Sequence, residues 1–120
     1  MRVFKNTWFT RFASKEGITD SELRELVNQL EAGQADANLG GDVYKMRVSQ
    51  QGEGKSGGYR IIVFFRSEDK TFYVYGFAKS DRDNIDRKEK SDYKELAKIY
   101  LNLSDEMIDK ALKSGKFIEI

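Results

Sequence analysis

Cysteine, histidine and proline are all absent from this sequence of 120 residues. Without cysteine there is no disulfide and no thiolate nucleophile. Without cysteine and histidine the common zinc sites, histidine-dependent nucleophile triads and histidine pH switches are excluded as well. If the chain is an enzyme, its acid, base and electrophile come from Lys, Arg, Tyr, Ser, Thr, Asp or Glu. Long apolar runs are also missing. The longest is Ile61-Ile62-Val63-Phe64-Phe65, against the roughly 20 residues of a membrane-spanning helix. The first eight residues hold no apolar stretch of signal-peptide length, so the expectation is a cytoplasmic protein with no membrane association. The length suits a single domain, residues 1–120, able to bury a core without covalent staples.

An excess of one charge is lacking too, with 21 Lys and Arg against 20 Asp and Glu, but the balance hides a partition. Residues 1–13 carry +3, residues 14–42 carry −5, residues 43–66 carry +4 and residues 67–120 carry −1. The basic island contains Lys45, Arg47, Lys55, Arg60 and Arg66 against Glu53 alone. Such an island suits a polyanionic ligand, and equally a solvated strand face with no ligand.

Hydrophobic spacing divides the chain into helical ends and a β-rich middle. After a short apolar start that reads as a strand, Trp8, Phe9 and Phe12 predict a short helix ending at Gly17. Thr19-x-x-Glu22 reads as a capping box, in which hydroxyl and carboxylate satisfy free amides of the first turn. Leu23, Leu26, Val27 and Leu30 then recur at helical spacing up to Gly33. Residues 33–42, with three glycines, read as a loop. Val43–Val48, Tyr59–Arg66 and Thr71–Ala78 predict three strands joined by local connections, hence an antiparallel meander. Tyr93, Leu96, Ala97 and Tyr100 return to helical spacing. Ser104 then opens a last helix with Met107, Ile108, Ala111 and Leu112 as its apolar stripe, and Phe117–Ile120 reads as an edge strand.

The segment Gly52-Glu53-Gly54-Lys55-Ser56-Gly57-Gly58 invites a phosphate-loop reading that its context refuses. A Walker A loop needs its first glycine where Ser49 stands, and both it and the Rossmann fingerprint must open a helix where a strand is expected here. A kinase glycine loop lies between strands, yet the chain is too short for a kinase and lacks the His-Arg-Asp and Asp-Phe-Gly sequences. Asp81-x-Asp83-x-x-Asp86 has neither the glycine nor the closing glutamate of a calcium loop and reads as a turn leading into a helix. No metal site and no cofactor are expected.

Three strings occur together and in order: Lys45-x-Arg47, then Gly52-x-Gly54-Lys55-Ser56-Gly57-Gly58-Tyr59-Arg60-Ile61-Ile62, then Tyr75-Gly76-Phe77-Ala78-Lys79-Ser80-x-x-x-Asn84-Ile85. Together they resemble the RelE/ParE superfamily of type II toxins, nearest to its HigB-like branch. The resemblance runs from Val43 to Ile85. It implies an α+β fold with N-terminal helices packed on a small antiparallel sheet and C-terminal helices beyond it. It also implies a cytoplasmic toxin that cleaves mRNA, on the ribosome in many members, and is silenced by a cognate antitoxin. Lys55, Arg60 and Lys79 are the best-matched catalytic positions, with Lys45, Arg47, Tyr75 and Arg82 as substrate-binding candidates. Arg82 stands between Asp81 and Asp83, Phe77 stands where many relatives carry an aromatic hydroxyl, and Asn84-Ile85 reads as structural.

The residue types agree with that chemistry. Lys45 and Arg47 are two apart on a strand and share a face, as do Arg60, Ile62, Phe64 and Arg66. Tyr73, Tyr75, Phe77 and Lys79 are expected to share a face of the third strand. If these faces coincide, cations alternate with aromatics, a surface for the phosphates and bases of a splayed single strand. Core packing is the competing role for Tyr73 and Phe77. Without a metal, RNA is cleaved by attack of a 2′-hydroxyl on the adjacent phosphorus. With no histidine, proton transfer falls to lysine, whose pKa neighbouring cations lower, and charge stabilisation to arginine. Two alternatives remain at this point: a ParE-like toxin that inhibits DNA gyrase without nuclease chemistry, and a non-catalytic nucleic-acid-binding module.

Overall fold

The computed structural model describes residues 1–49 and 58–120. Among these, β1 (Arg2–Asn6), α1 (Thr7–Glu16) and α2 (Asp20–Glu31) come first. The strands β2 (Ala37–Gly40), β3 (Val43–Val48), β4 (Tyr59–Arg66) and β5 (Lys70–Ala78) follow, then α3 (Arg87–Leu101), α4 (Asp105–Lys113) and β6 (Phe117–Glu119). The strands form one sheet in the order β2-β3-β4-β5-β1-β6. All pairs are antiparallel except β1 with β5.

Helices cover both faces, so the molecule is α+β with the sheet between two apolar layers. On one side Phe9, Leu23, Leu26, Val27 and Leu30 of α1 and α2 pack against Met46, Ile61, Val63 and Tyr73. On the other, Ala97, Leu101 and Ile108 of α3 and α4 pack against Val43, Ile62, Phe64, Phe72 and Phe117. β4 is the central strand and is buried on both faces, which explains its unbroken apolar run. Each such side chain contributes about 1.5–3 kcal/mol on burial.

The helix starts follow the local chemistry read from sequence. The Thr19–Glu22 capping box is present at α2, and Asp86 forms a second with Glu89 at α3. Ser104 caps α4, and Gly17 closes α1 in the left-handed region at φ 74°.

Three expectations are corrected. Residues 33–42 are not wholly loop: β2 pairs with β3 inside them, too short and glycine-rich to announce itself by period. Met107 is 51% exposed, because the buried stripe of α4 is centred on Ile108, a helical step of about 100° away. Tyr73 does not share a face with Tyr75. The pairing shifts between Ile62↔Tyr75 and Val63↔Tyr73, leaving Val74 as an extra residue that reverses the alternation.

Candidate functional site

Strand register aligns the site. Arg47 lies opposite Arg60 and Arg60 opposite Phe77, while one row along Lys45 lies opposite Ile62 and Ile62 opposite Tyr75. Residues directly opposite share a face, so three cations and two aromatics sit on the α3/α4 side of the sheet, within two strand spacings, or about 10 Å. The bulge at Val74 is what turns Tyr75 and Phe77 to this side.

Arg82, in the turn after β5, closes the row. Its guanidinium makes a two-pronged pair with Glu89, Nη2 donating to Oε1 at 2.6 Å and Nη1 to Oε2 at 3.1 Å. Nη1 also donates to the Tyr75 hydroxyl at 3.2 Å, Nε donates to the Asn84 carbonyl at 3.1 Å, and Cζ stands 5.4 Å from the Phe77 ring centre. The hydrogen bonds from Arg82, then the backbone amide of Asp86, hold the Glu89 carboxyl below the usual glutamate range. Glu89 and Tyr75 in turn push Arg82 further up, so it stays charged. The aspartates beside Arg82 in sequence are not its partners. Glu89 is, which ties the cation to the first turn of α3. Tyr93, 6.0 Å from Tyr75, is pushed up chiefly by burial.

Other candidates are placed differently. Lys45 and Arg47 both approach Asp36, at 3.9 Å and 2.8 Å. Asp36 thereby offsets the repulsion of two arginines facing each other on β3 and β4. Arg60 is 4% exposed and donates to the Tyr59 carbonyl at 3.3 Å. Lys79 is half-buried, and its backbone N–H donates to the Gly58 carbonyl at 2.9 Å, at the base of β4. Lys55 lies outside the described residues. Arg66, at the far end of β4, is tied to the Leu101 carbonyl, Asp42 and Asp69 and belongs to the scaffold. Among the described residues no three Asp or Glu side chains are grouped to hold a metal ion.

Sequence reasoning missed the contribution of α1. The Trp8 ring lies 4.6 Å from Tyr75 and stacks on Phe12 at 5.3 Å. Phe12 covers Gly76, where a Cβ would meet it at 2.5 Å. A cleft of about 450 Å³ opens here between α1 and the end of β5, lined in part by Trp8, Tyr75 and Arg82. The helical i, i+4 spacing of Trp8 and Phe12 was visible, but it reads as ordinary core.

Residues 1–120 match the family model described as the RelE toxin of the RelE / RelB toxin-antitoxin system. The chain belongs to the RelE toxin family. This match spans the whole chain, beyond the Val43–Ile85 stretch that carries the motifs. As a RelE-family toxin it is one member of a toxin-antitoxin pair and has a cognate antitoxin as partner. Its helices flank a mostly antiparallel sheet, as the resemblance implied. No described helix is long and apolar enough to cross a membrane.

Proposed function

We propose that this RelE-family toxin is a metal-independent endoribonuclease of the HigB-like branch. As a single cytoplasmic domain it cleaves mRNA on the ribosome and so inhibits translation. The observation that carries this reading is the convergence of Arg60, Arg82, Tyr75 and Phe77 on one face, with Lys45 and Arg47 at its border. The 2′-hydroxyl attacks the adjacent phosphorus, its proton passes to a lysine, and the 5′-oxygen leaves with a proton from a second donor. The products are a 2′,3′-cyclic phosphate and a 5′-hydroxyl. Lys55 and Lys79 are the groups suited by type to exchange those protons. Arg60, enclosed where the dielectric is low, and Arg82, fixed by Glu89, stabilise the charge gathering on the phosphoryl oxygens. Tyr75, partly exposed, offers a π face to a base, whereas Phe77 is only 5% exposed, takes the core-packing role and backs the Arg82 guanidinium.

Inducing the chain in cells and mapping the 5′ ends of mRNA tests this reading. Discrete new ends within translated frames are expected, and none with Arg60→Ala. Intact mRNA accompanied by broken DNA held on gyrase would overturn the reading in favour of a gyrase inhibitor.

A further inference from the structure

The cleft between α1 and β5 is not accounted for by cleavage chemistry. Trp8, Arg11, Phe12 and Lys15 fall at i, i+3, i+4 and i+7 and form one stripe of α1 along this cleft. Trp8 is 45% exposed although its ring stacks on Phe12 at an interplanar angle of 17° and touches Tyr75, so a rigidly backed aromatic is left open to solvent. Among the described residues neither Arg11 nor Lys15 is in an ion pair. Of the two acids on the lining, Glu16 accepts from the Tyr59 hydroxyl at 2.9 Å and Asp81 is exposed. The volume, about 450 Å³, lies in the range of small-ligand pockets. Tyr75 and Arg82 border both this cleft and the row through Arg60, so the two surfaces are continuous.

Resting on the nuclease reading, we infer that this cleft is a further RNA subsite, in which a base next to the scissile position stacks on Trp8 while its flanking phosphates meet Arg11 and Lys15. A backed indole with cations one and two helical turns further along the same stripe is the combination that holds single-stranded nucleic acid with little sequence preference. Gly76 makes the cleft possible, since any side chain there displaces the Phe12 ring on which Trp8 rests.

Trp8 is the only tryptophan, so the tryptophan fluorescence comes from this residue, which lines this cleft and also the neighbouring one toward α4. The probe is a 2′-O-methylated RNA decamer, which cannot be cleaved, titrated into the full chain with binding followed in parallel by anisotropy of an end label. The expected result is saturable quenching of Trp8 in both parent and Arg60→Ala protein. Trp8→Ala should weaken the decamer roughly 5- to 150-fold, the range of one base–aromatic stack. Trp8→Phe should retain most of the affinity, and Arg11→Ala with Lys15→Ala should flatten the salt dependence. If the decamer binds by anisotropy while Trp8 emission stays unchanged and Trp8→Ala binds like the parent, the subsite is excluded. Loss of cleavage in Arg60→Ala then keeps the nuclease reading intact. Cleavage undiminished in Arg60→Ala would instead count against that reading and leave the quenching result to stand. Quenching by the antitoxin but not by the decamer would assign the cleft to protein contact and overturn the proposal.

Discussion

Tyr73 and Tyr75, two residues apart on β5, face opposite sides of the sheet. Tyr73 is fully buried against Phe9 of α1, its hydroxyl donating to the Leu23 carbonyl, whereas Tyr75 lies on the other side with its hydroxyl accepting from Arg82. The extra residue Val74 causes the reversal, and it divides β5 into a scaffold half and a half that carries the candidate site. The same strand thus anchors the first core and presents Tyr75 and Phe77 beside Arg60.

Asp36 holds down two of the cations proposed to meet RNA. Asp36→Asn should therefore tighten single-stranded RNA about two- to fivefold at low salt and steepen the dependence of log K on log salt by about 0.7 for each phosphate newly engaged. A salt titration of parent and variant reads both. Unchanged affinity and slope would remove Lys45 and Arg47 from the RNA-binding face.

The Arg82–Glu89 pair makes stability depend on pH in a defined direction. The Glu89 carboxyl is held low in the folded chain, so its contribution is present above the unfolded glutamate value near 4.3 and lost as pH falls through the folded value. Both side chains are about a third exposed, at 32% and 31%, which limits the effect to under about 1 kcal/mol. Urea unfolding from pH 7 to pH 3 should show a shallower acid loss for Glu89→Gln than for the parent, and parallel curves would contradict the assignment.

Gly76→Ala places a methyl 2.5 Å from Phe12 Cε2, an overpacking expected to cost about 1–3 kcal/mol. The urea midpoint should fall with little change in m. In a Phe12→Ala background the same change should cost much less, the coupling that contact predicts. Additive effects would show that Phe12 does not lie over Gly76.

Arg60→Ala removes one preorganised charge donor, expected to cost about 2–4 kcal/mol of transition-state stabilisation, or roughly 30- to 900-fold in kcat/KM. Arg60→Lys should fall between parent and alanine variant, because it keeps the charge and loses the planar fork. Single-turnover cleavage on programmed ribosomes measures the loss, with circular dichroism checking that each variant is folded. Equal rates would place Arg60 outside the reaction.

Much of this arrangement was legible because it is local. The Thr19–Glu22 box, the leucine spacing of α2, the period-2 stretches of β3 and the apolar run of β4 each fix an element through neighbouring residues. Long-range relations were not. The parallel pairing of β1 with β5 links the chain start to residue 70 and leaves no mark in either segment. The bulge at Val74 adds one residue without breaking the run of strand formers, so simple alternation sent Tyr73 to the wrong face. Arg82 looked neutralised by Asp81 and Asp83, and only the turn that brings α3 back shows Glu89 as its partner. Trp8 reads in sequence as one more core aromatic, because its exposure depends on how α1 lies against the end of β5.

The chemistry of the cut ends tests the central claim most directly. RNA cleaved by the purified toxin on ribosomes should carry a 5′-hydroxyl and a 2′,3′-cyclic phosphate, and a single 2′-deoxy substitution at the cleaved nucleotide should abolish the cut. Products with a 5′-phosphate and a 3′-hydroxyl, or unimpaired cutting at the deoxy position, would show that water rather than the 2′-hydroxyl attacks and would contradict a site built from arginine and lysine alone.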